Sequence, residues 1–118
     1  MKFSRITFMV RDMEKTISFY QNLAELKIIK RFSVDMGEIA FLADTEEDTM
    51  LEFIHFDAAE KVDITGMVMS FKVNGSLEDL REKAITLGYY PSEIVEKQPK
   101  PAHFLIADPD GTLVEFSV

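Results

Sequence analysis

The sequence predicts an α+β fold: two tandem βαβββ modules whose sheets curl into an incomplete barrel around a cavity. Three observations carry that prediction. The first is an internal repeat. Residues 41–53 and 104–116 both read Phe-Leu, then an Asp-rich turn, then Leu or Val followed by Glu and Phe. Glu52 and Glu115 lie 63 residues apart, and so do Val10 and Val73, which end the strand opening each half. A self-similarity of this kind constrains a fold more firmly than local propensity does. The second is alternation in the opening strands. Ile6, Phe8 and Val10 match Met69, Phe71 and Val73 on one face, while Arg5, Thr7 and Met9 match Val68, Ser70 and Lys72 on the other. The third is a capping residue and a helical apolar period directly after each opening strand.

The elements follow in order. Residues 3–10 form the first strand. Asp12 is a helix N-cap, and Met13, Ile17, Tyr20 and Ala24 recur at helical spacing, giving a helix over residues 13–23. Strands are expected at residues 27–34, 38–43 and 50–56, with the polar stretch 57–65 as a linker. Gly66 precedes a strand over residues 67–73, and Asn74-Gly75 marks a turn. Ser76 caps a second helix with Asp79 at its third position, a capping-box variant. Leu77, Leu80, Ala84 and Leu87 line its apolar face, and Gly88 ends it. Residues 89–96 read as a strand around Pro91, at an edge or a bulge. After a loop at 97–101, two closing strands flank the Asp108-Pro109-Asp110-Gly111 turn. The chain is thus one domain over residues 1–118, with module 1 at about 1–57 and module 2 at about 66–118. In both modules the helix is expected to cover the apolar face of the opening strand, and the more polar face turns toward the cavity.

Composition excludes several classes of function. There is no cysteine, which removes disulfides, thiolate metal sites and thiol nucleophiles. The net charge is −8, and Lys27, Lys30 and Arg31 are too few to form the basic stripe that nucleic acids require. No apolar run approaches the roughly 20 residues that span a bilayer. No signal-peptide pattern is read at the N-terminus, so a cytoplasmic location is the default expectation. A small organic ligand is favoured over a polyanion or a membrane. Asp44, Glu46, Glu47 and Asp48 read as a solvated turn. No glycine-rich phosphate loop or nucleophile elbow is present.

The residues that stand out are Glu52 and Glu115. Each is a single carboxylate in an apolar strand, and burying one requires a partner. With Ser18-Phe19-Tyr20 in the first helix, the repeated Leu/Val-Glu-Phe strands and the Asp-Pro-Asp-Gly turn, the whole chain resembles the vicinal oxygen chelate superfamily. That group includes glyoxalase I, fosfomycin-resistance enzymes, extradiol dioxygenases and bleomycin-resistance proteins. The resemblance implies the glyoxalase/bleomycin-resistance fold and, in metal-dependent members, four ligand positions. The two closing-strand positions fall on Glu52 and Glu115. The two opening-strand positions, usually histidine, fall on Arg5 and Val68. Arginine offers no lone pair and valine no donor atom. No cofactor is therefore expected, and a divalent metal is disfavoured.

Arg5 has two readings: an ion-pair partner for Glu52 or Glu115, or a bidentate anchor for an anionic ligand. His55 lies three residues after Glu52, on the opposite face of a regular strand, and reads as a surface or helix-packing histidine. The resemblance to the fosfomycin-resistance branch turns His103 and Leu105 toward the ligand pocket that Glu115 faces. His103 is then a pocket hydrogen-bonder or a base near neutral pH, or else a partly exposed residue at a strand start. Arg5, Thr7, Ser70, His103 and Leu105 are the candidate ligand-binding residues. Lys72 is a further cation on the same face of module 2, and Tyr89-Tyr90 is a candidate stacking pair. Two functions remain open. One is a metal-independent small-molecule-binding protein similar to bleomycin-resistance proteins, its ligand held between the modules. The other is a glyoxalase-I-like lyase or isomerase, of lactoylglutathione-lyase type, with Glu115 or Glu52 as general base. The resemblance also implies a homodimer.

Overall fold

The opening strand, helix and closing strand organise both halves of the computed structural model, which describes residues 1–57 and 63–118. The chain divides into two units, Met1–Asp63 and Ile64–Val118. Of the expected linker at 57–65, residues 58–62 lie outside the described residues.

In the first unit, β1 (Arg5–Met9), α1 (Met13–Leu23), β2 (Lys27–Val34), β3 (Gly37–Ala43) and β4 (Met50–Phe56) follow one another. The sheet order is β1-β4-β3-β2. β1 runs parallel to β4, a pairing that needs a crossover, while β2, β3 and β4 are joined antiparallel. The Asp12 carboxylate accepts the Lys15 backbone N–H at 3.0 Å and starts α1. The helix buries Met13, Ile17 and Tyr20 at the spacing read from the sequence, and its last buried residue is Leu23, with Ala24 at the C-cap. Tyr20 stacks on Phe53 of β4 at 5.1 Å, and Phe53 meets Phe8 of β1 at 6.0 Å. The apolar face of β1 is thus the helix-covered one, with Phe8 buried and Arg5, Thr7 and Met9 exposed. Arg31 of β2 grips Glu38 of β3 through two hydrogen bonds of 2.9 and 3.0 Å and also reaches Glu14 of α1. That bidentate bond holds the Glu38 carboxyl below the usual carboxylate range. His55 lies on the helix side with Nδ1 2.9 Å from the Val10 carbonyl, away from Glu52.

In the second unit, β5 (Val68–Lys72), α2 (Leu77–Thr86), β6 (His103–Ala107) and β7 (Leu113–Ser117) form a sheet of order β5-β7-β6. β5 runs parallel to β7, as β1 does to β4. The Ser76 hydroxyl accepts the Asp79 N–H at 3.1 Å and starts α2. Gly88, at φ +92°, ends that helix in the left-handed conformation. The Asp108 carboxylate accepts the N–H groups of Asp110 and Thr112, both at 2.9 Å, which closes the turn between β6 and β7. Phe116 packs between Phe71 and Phe104 at 5.7 and 5.5 Å.

The strand expected at 89–96 is not a regular strand. This stretch meets β6 through an isolated bridge between Val95 and His103. The Ser92 N–H donates to the Leu105 carbonyl at 2.8 Å, while the Leu105 N–H donates to the Ser92 hydroxyl at 2.9 Å. A side chain thus stands where a ladder would use a carbonyl. Pro91 has no N–H to continue the ladder. Among the described residues, no helix is long and apolar enough to cross a membrane.

Two backbone positions yield predictions. Glu25 follows α1 at φ +56°, a conformation that a glycine adopts without strain. Glu25→Gly is expected to stabilise the protein by about 1 kcal/mol in a urea titration. A Cβ on Gly37 would lie 1.8 Å from the His55 carbonyl oxygen. Gly37→Ala should therefore cost about 2 kcal/mol or more in the same measurement.

Candidate functional site

The parallel pairing of β1 with β4 sets Thr7 opposite Glu52, and the antiparallel pairing of β3 sets Phe41 on its other side. Strand partners share a face, so the three side chains form a row on the sheet face turned away from α1. Arg5 joins that face two residues before Thr7. The Thr7 hydroxyl donates to Glu52 Oε1 at 2.6 Å, and Arg5 Nε stands 3.3 Å from the same oxygen. The guanidinium carbon lies 5.9 Å from the centre of the Phe41 ring, within cation–π range. Phe41 in turn stacks on Phe32 at 6.3 Å. The Glu52 side chain is 13% exposed and that of Arg5 53%.

The second unit repeats the arrangement with a different cation. Ser70 of β5 and Leu105 of β6 flank Glu115 in register. The Ser70 hydroxyl donates to Glu115 Oε1 at 3.0 Å, as Thr7 does to Glu52. Val68, at the position equivalent to Arg5, is exposed beside Leu113 and supplies no charge. Lys100, from the loop before β6, takes that part. Its ammonium donates to Glu115 Oε2 at 2.5 Å. His103 places Nε2 3.8 Å from the same oxygen, while its Nδ1 lies 2.8 Å from the Pro101 carbonyl. A proton on Nδ1 is donated to that carbonyl. The Glu115 side chain is only 8% exposed. The hydrogen bond from Lys100 holds its carboxyl below the usual carboxylate range. The Ser70 hydroxyl and the charges of Lys100 and His103 add to this, against the opposing effect of burial.

The structure thus brings Arg5, Thr7 and Glu52 together in one unit, and Ser70, His103, Leu105 and Glu115 in the other. Sequence reasoning missed Lys100, which read as a loop residue. The signal available was a lysine between two prolines, three residues before a strand paired with the Glu115 strand. Lys72 is exposed. Tyr90 is fully open to solvent, whereas Tyr89 is half-buried, with its phenol pushed up by burial.

The donor chemistry does not fit the divalent metal that the superfamily implies. Among the described residues, no group of three or more His, Asp or Glu is arranged to hold one. An ion at Glu52 would sit beside a guanidinium, and an ion at Glu115 would have to displace Lys100.

The depressed Glu115 pKa has a defined consequence for stability. A carboxyl whose folded pKa is below the unfolded value of about 4.3 stabilises the fold above that pH, and the effect is lost as pH falls through the folded value. In Lys100→Met the burial effect loses its main opponent, so the Glu115 titration should move to higher pH. Carboxylate carbon NMR across an acid titration reads the shift directly. Because Lys100 is largely exposed, the same variant should lose only about 1 kcal/mol at neutral pH.

Among curated protein sequences, none matches this chain. Solved structures do. A trypanothione-dependent glyoxalase I from Leishmania major is 19% identical, with a TM-score of 0.81, covering 99% of this chain and 86% of that one. A Zea mays glyoxalase I variant is 22% identical with a TM-score of 0.87, and 98% of this chain spans 44% of that enzyme. TnmS3, an antibiotic-binding protein from Streptomyces sp. CB03234, is 14% identical with a TM-score of 0.77, covering 99% and 94%. At these identities the likeness concerns the fold. The family model for the Glyoxalase/Bleomycin resistance protein/Dioxygenase superfamily matches residues 2–116, essentially the whole chain. The two βαβ-containing units with their paired closing-strand glutamates therefore belong to a member of the glyoxalase/bleomycin resistance/dioxygenase superfamily.

Proposed function

We propose that this protein binds a small organic molecule without a metal, on the sheet faces that carry Arg5 and Thr7 in one unit and Ser70, His103 and Leu105 in the other. One observation carries this reading. Both glutamates at metal-equivalent positions are already neutralised inside their own units, Glu52 by Arg5 and Glu115 by Lys100. A site held this way needs no cation from solution, and it leaves polar and apolar groups available for a ligand. An antibiotic-binding protein among the structural neighbours makes this a role that the fold supports. The proposal includes a homodimer.

The second reading is a lyase or isomerase with a glutamate as proton acceptor, and the glyoxalase I neighbours favour it. Glu115 is a poor choice of base, because its lowered pKa weakens its pull on a carbon-bound proton. Glu52 fits better, with the Arg5 guanidinium beside it to stabilise a developing oxyanion.

Metal analysis of the purified protein after incubation with Zn²⁺, Ni²⁺ or Mn²⁺ and removal of excess tests the first reading. The expected result is far below one equivalent of any metal. One equivalent that disappears in Glu52→Gln or Glu115→Gln overturns it.

A further inference from the structure

The two glutamates are not equally engaged. Glu115 has both oxygens occupied, Oε1 by Ser70 and Oε2 by Lys100. Glu52 has only Oε1 occupied, by Thr7 and by the Nε edge of Arg5. Among the described residues Glu52 Oε2 takes no hydrogen bond, and it is not one of the solvent-inaccessible polar atoms lacking a partner. The terminal amino groups of Arg5 likewise make no hydrogen bond among the described residues, on a side chain that is 53% exposed. Glu52 therefore offers an open acceptor and Arg5 open donors, on neighbouring positions of one sheet face. The Phe41 ring lies beneath the guanidinium, with Phe32 stacked next to it and 38% exposed.

We infer that Arg5 and Glu52 form a donor–acceptor clamp for a neutral, planar molecule that carries an N–H or O–H donor beside a carbonyl oxygen on one edge, as in a cyclic amide. The clamp rests on the metal-independent binding reading and assigns ligand recognition to the first unit. Geometry and charge both argue for this class. The donor and acceptor are supplied side by side, so a ligand that satisfies only one leaves the other unpaired, at a cost comparable to a lost hydrogen bond. The pair is neutral overall, so an anion gains at Arg5 but is repelled by Glu52, and a cation meets the reverse. The Phe41–Phe32 floor favours a flat apolar body. The closed carboxylate of Glu115 has no equivalent opening, so the second unit's constellation fixes Lys100 and His103 and does not grip the same edge.

Three probes separate the possibilities in amide NMR titrations of the intact protein. 2-Pyridone presents a donor and an acceptor on one edge, benzoate presents acceptors, and benzamidine presents donors. The expected result is saturable shifts from 2-pyridone at Thr7, Phe41 and Glu52, with benzoate and benzamidine at least about tenfold weaker. Glu52→Gln and Arg5→Lys should each weaken 2-pyridone by about tenfold. Arg5→Lys keeps the charge beside Glu52 and removes the planar donor pair, and the same spectra report whether each variant is folded. Shifts confined to Ser70, Leu105 and Glu115 overturn the clamp and leave the binding-protein reading in place. Tighter binding of benzoate or benzamidine, or no saturable shift with any probe, also overturns the clamp. The broader reading falls separately, on stoichiometric metal.

Discussion

A carboxylate in the middle of an apolar strand must be given both a counter-charge and hydrogen-bond donors, and this chain meets that requirement twice. The strand positions of Glu52 and Glu115 follow from the repeat, and the parallel opening strand places a hydroxyl beside each. Thr7 and Ser70 are the same solution at the same register. The counter-charges come from different places. Arg5 is supplied by the opening strand itself, two residues before Thr7. In the second unit the equivalent residue is Val68, and Lys100 arrives from the loop before β6. Side chains give each glutamate a counter-charge within its own unit, and the proposed metal-independent reading depends on it.

The two solutions differ in how much they leave open. A lysine reaching in from a loop ends on Oε2 of Glu115, which leaves that carboxylate fully satisfied and lowers its pKa. An arginine alongside Glu52 approaches it through Nε at 3.3 Å, and its terminal donors make no hydrogen bond among the described residues. One duplicated framework thus holds one closed carboxylate and one open one. The clamp proposed for Glu52 follows from that difference. It also separates two acids that the sequence treats alike, because a base must have an accessible lone pair.

Much of the fold was legible because its signals are local or repeated. Asp12 and Ser76 cap the helices as their spacing implies, Gly88 ends the second helix, and the 63-residue offset aligns the opening and closing strands of the two units. The segment at 89–96, with Pro91 inside it, reads as a strand at an edge or a bulge. Whether it becomes one depends on a ladder partner, and here the Ser92 side chain substitutes for part of that ladder. At the site, the nearness of Arg5 and Glu52 could be anticipated from the repeat, since both lie on regular strands. Lys100 could not, because a loop lysine reaches whatever the chain path brings within its length, and no periodicity encodes that path. The difference between an open and a closed carboxylate depends on single hydrogen bonds, which a sequence pattern does not specify.

The most direct test of side-chain neutralisation is a double-mutant cycle at neutral pH on Lys100→Met, Glu115→Gln and the double variant, measured by urea unfolding. If the ammonium is the counter-charge of Glu115, the two substitutions will be coupled by about 1 kcal/mol, with the double variant less destabilised than the sum of the singles. Strict additivity would show that Lys100 does not neutralise Glu115, and would contradict the account.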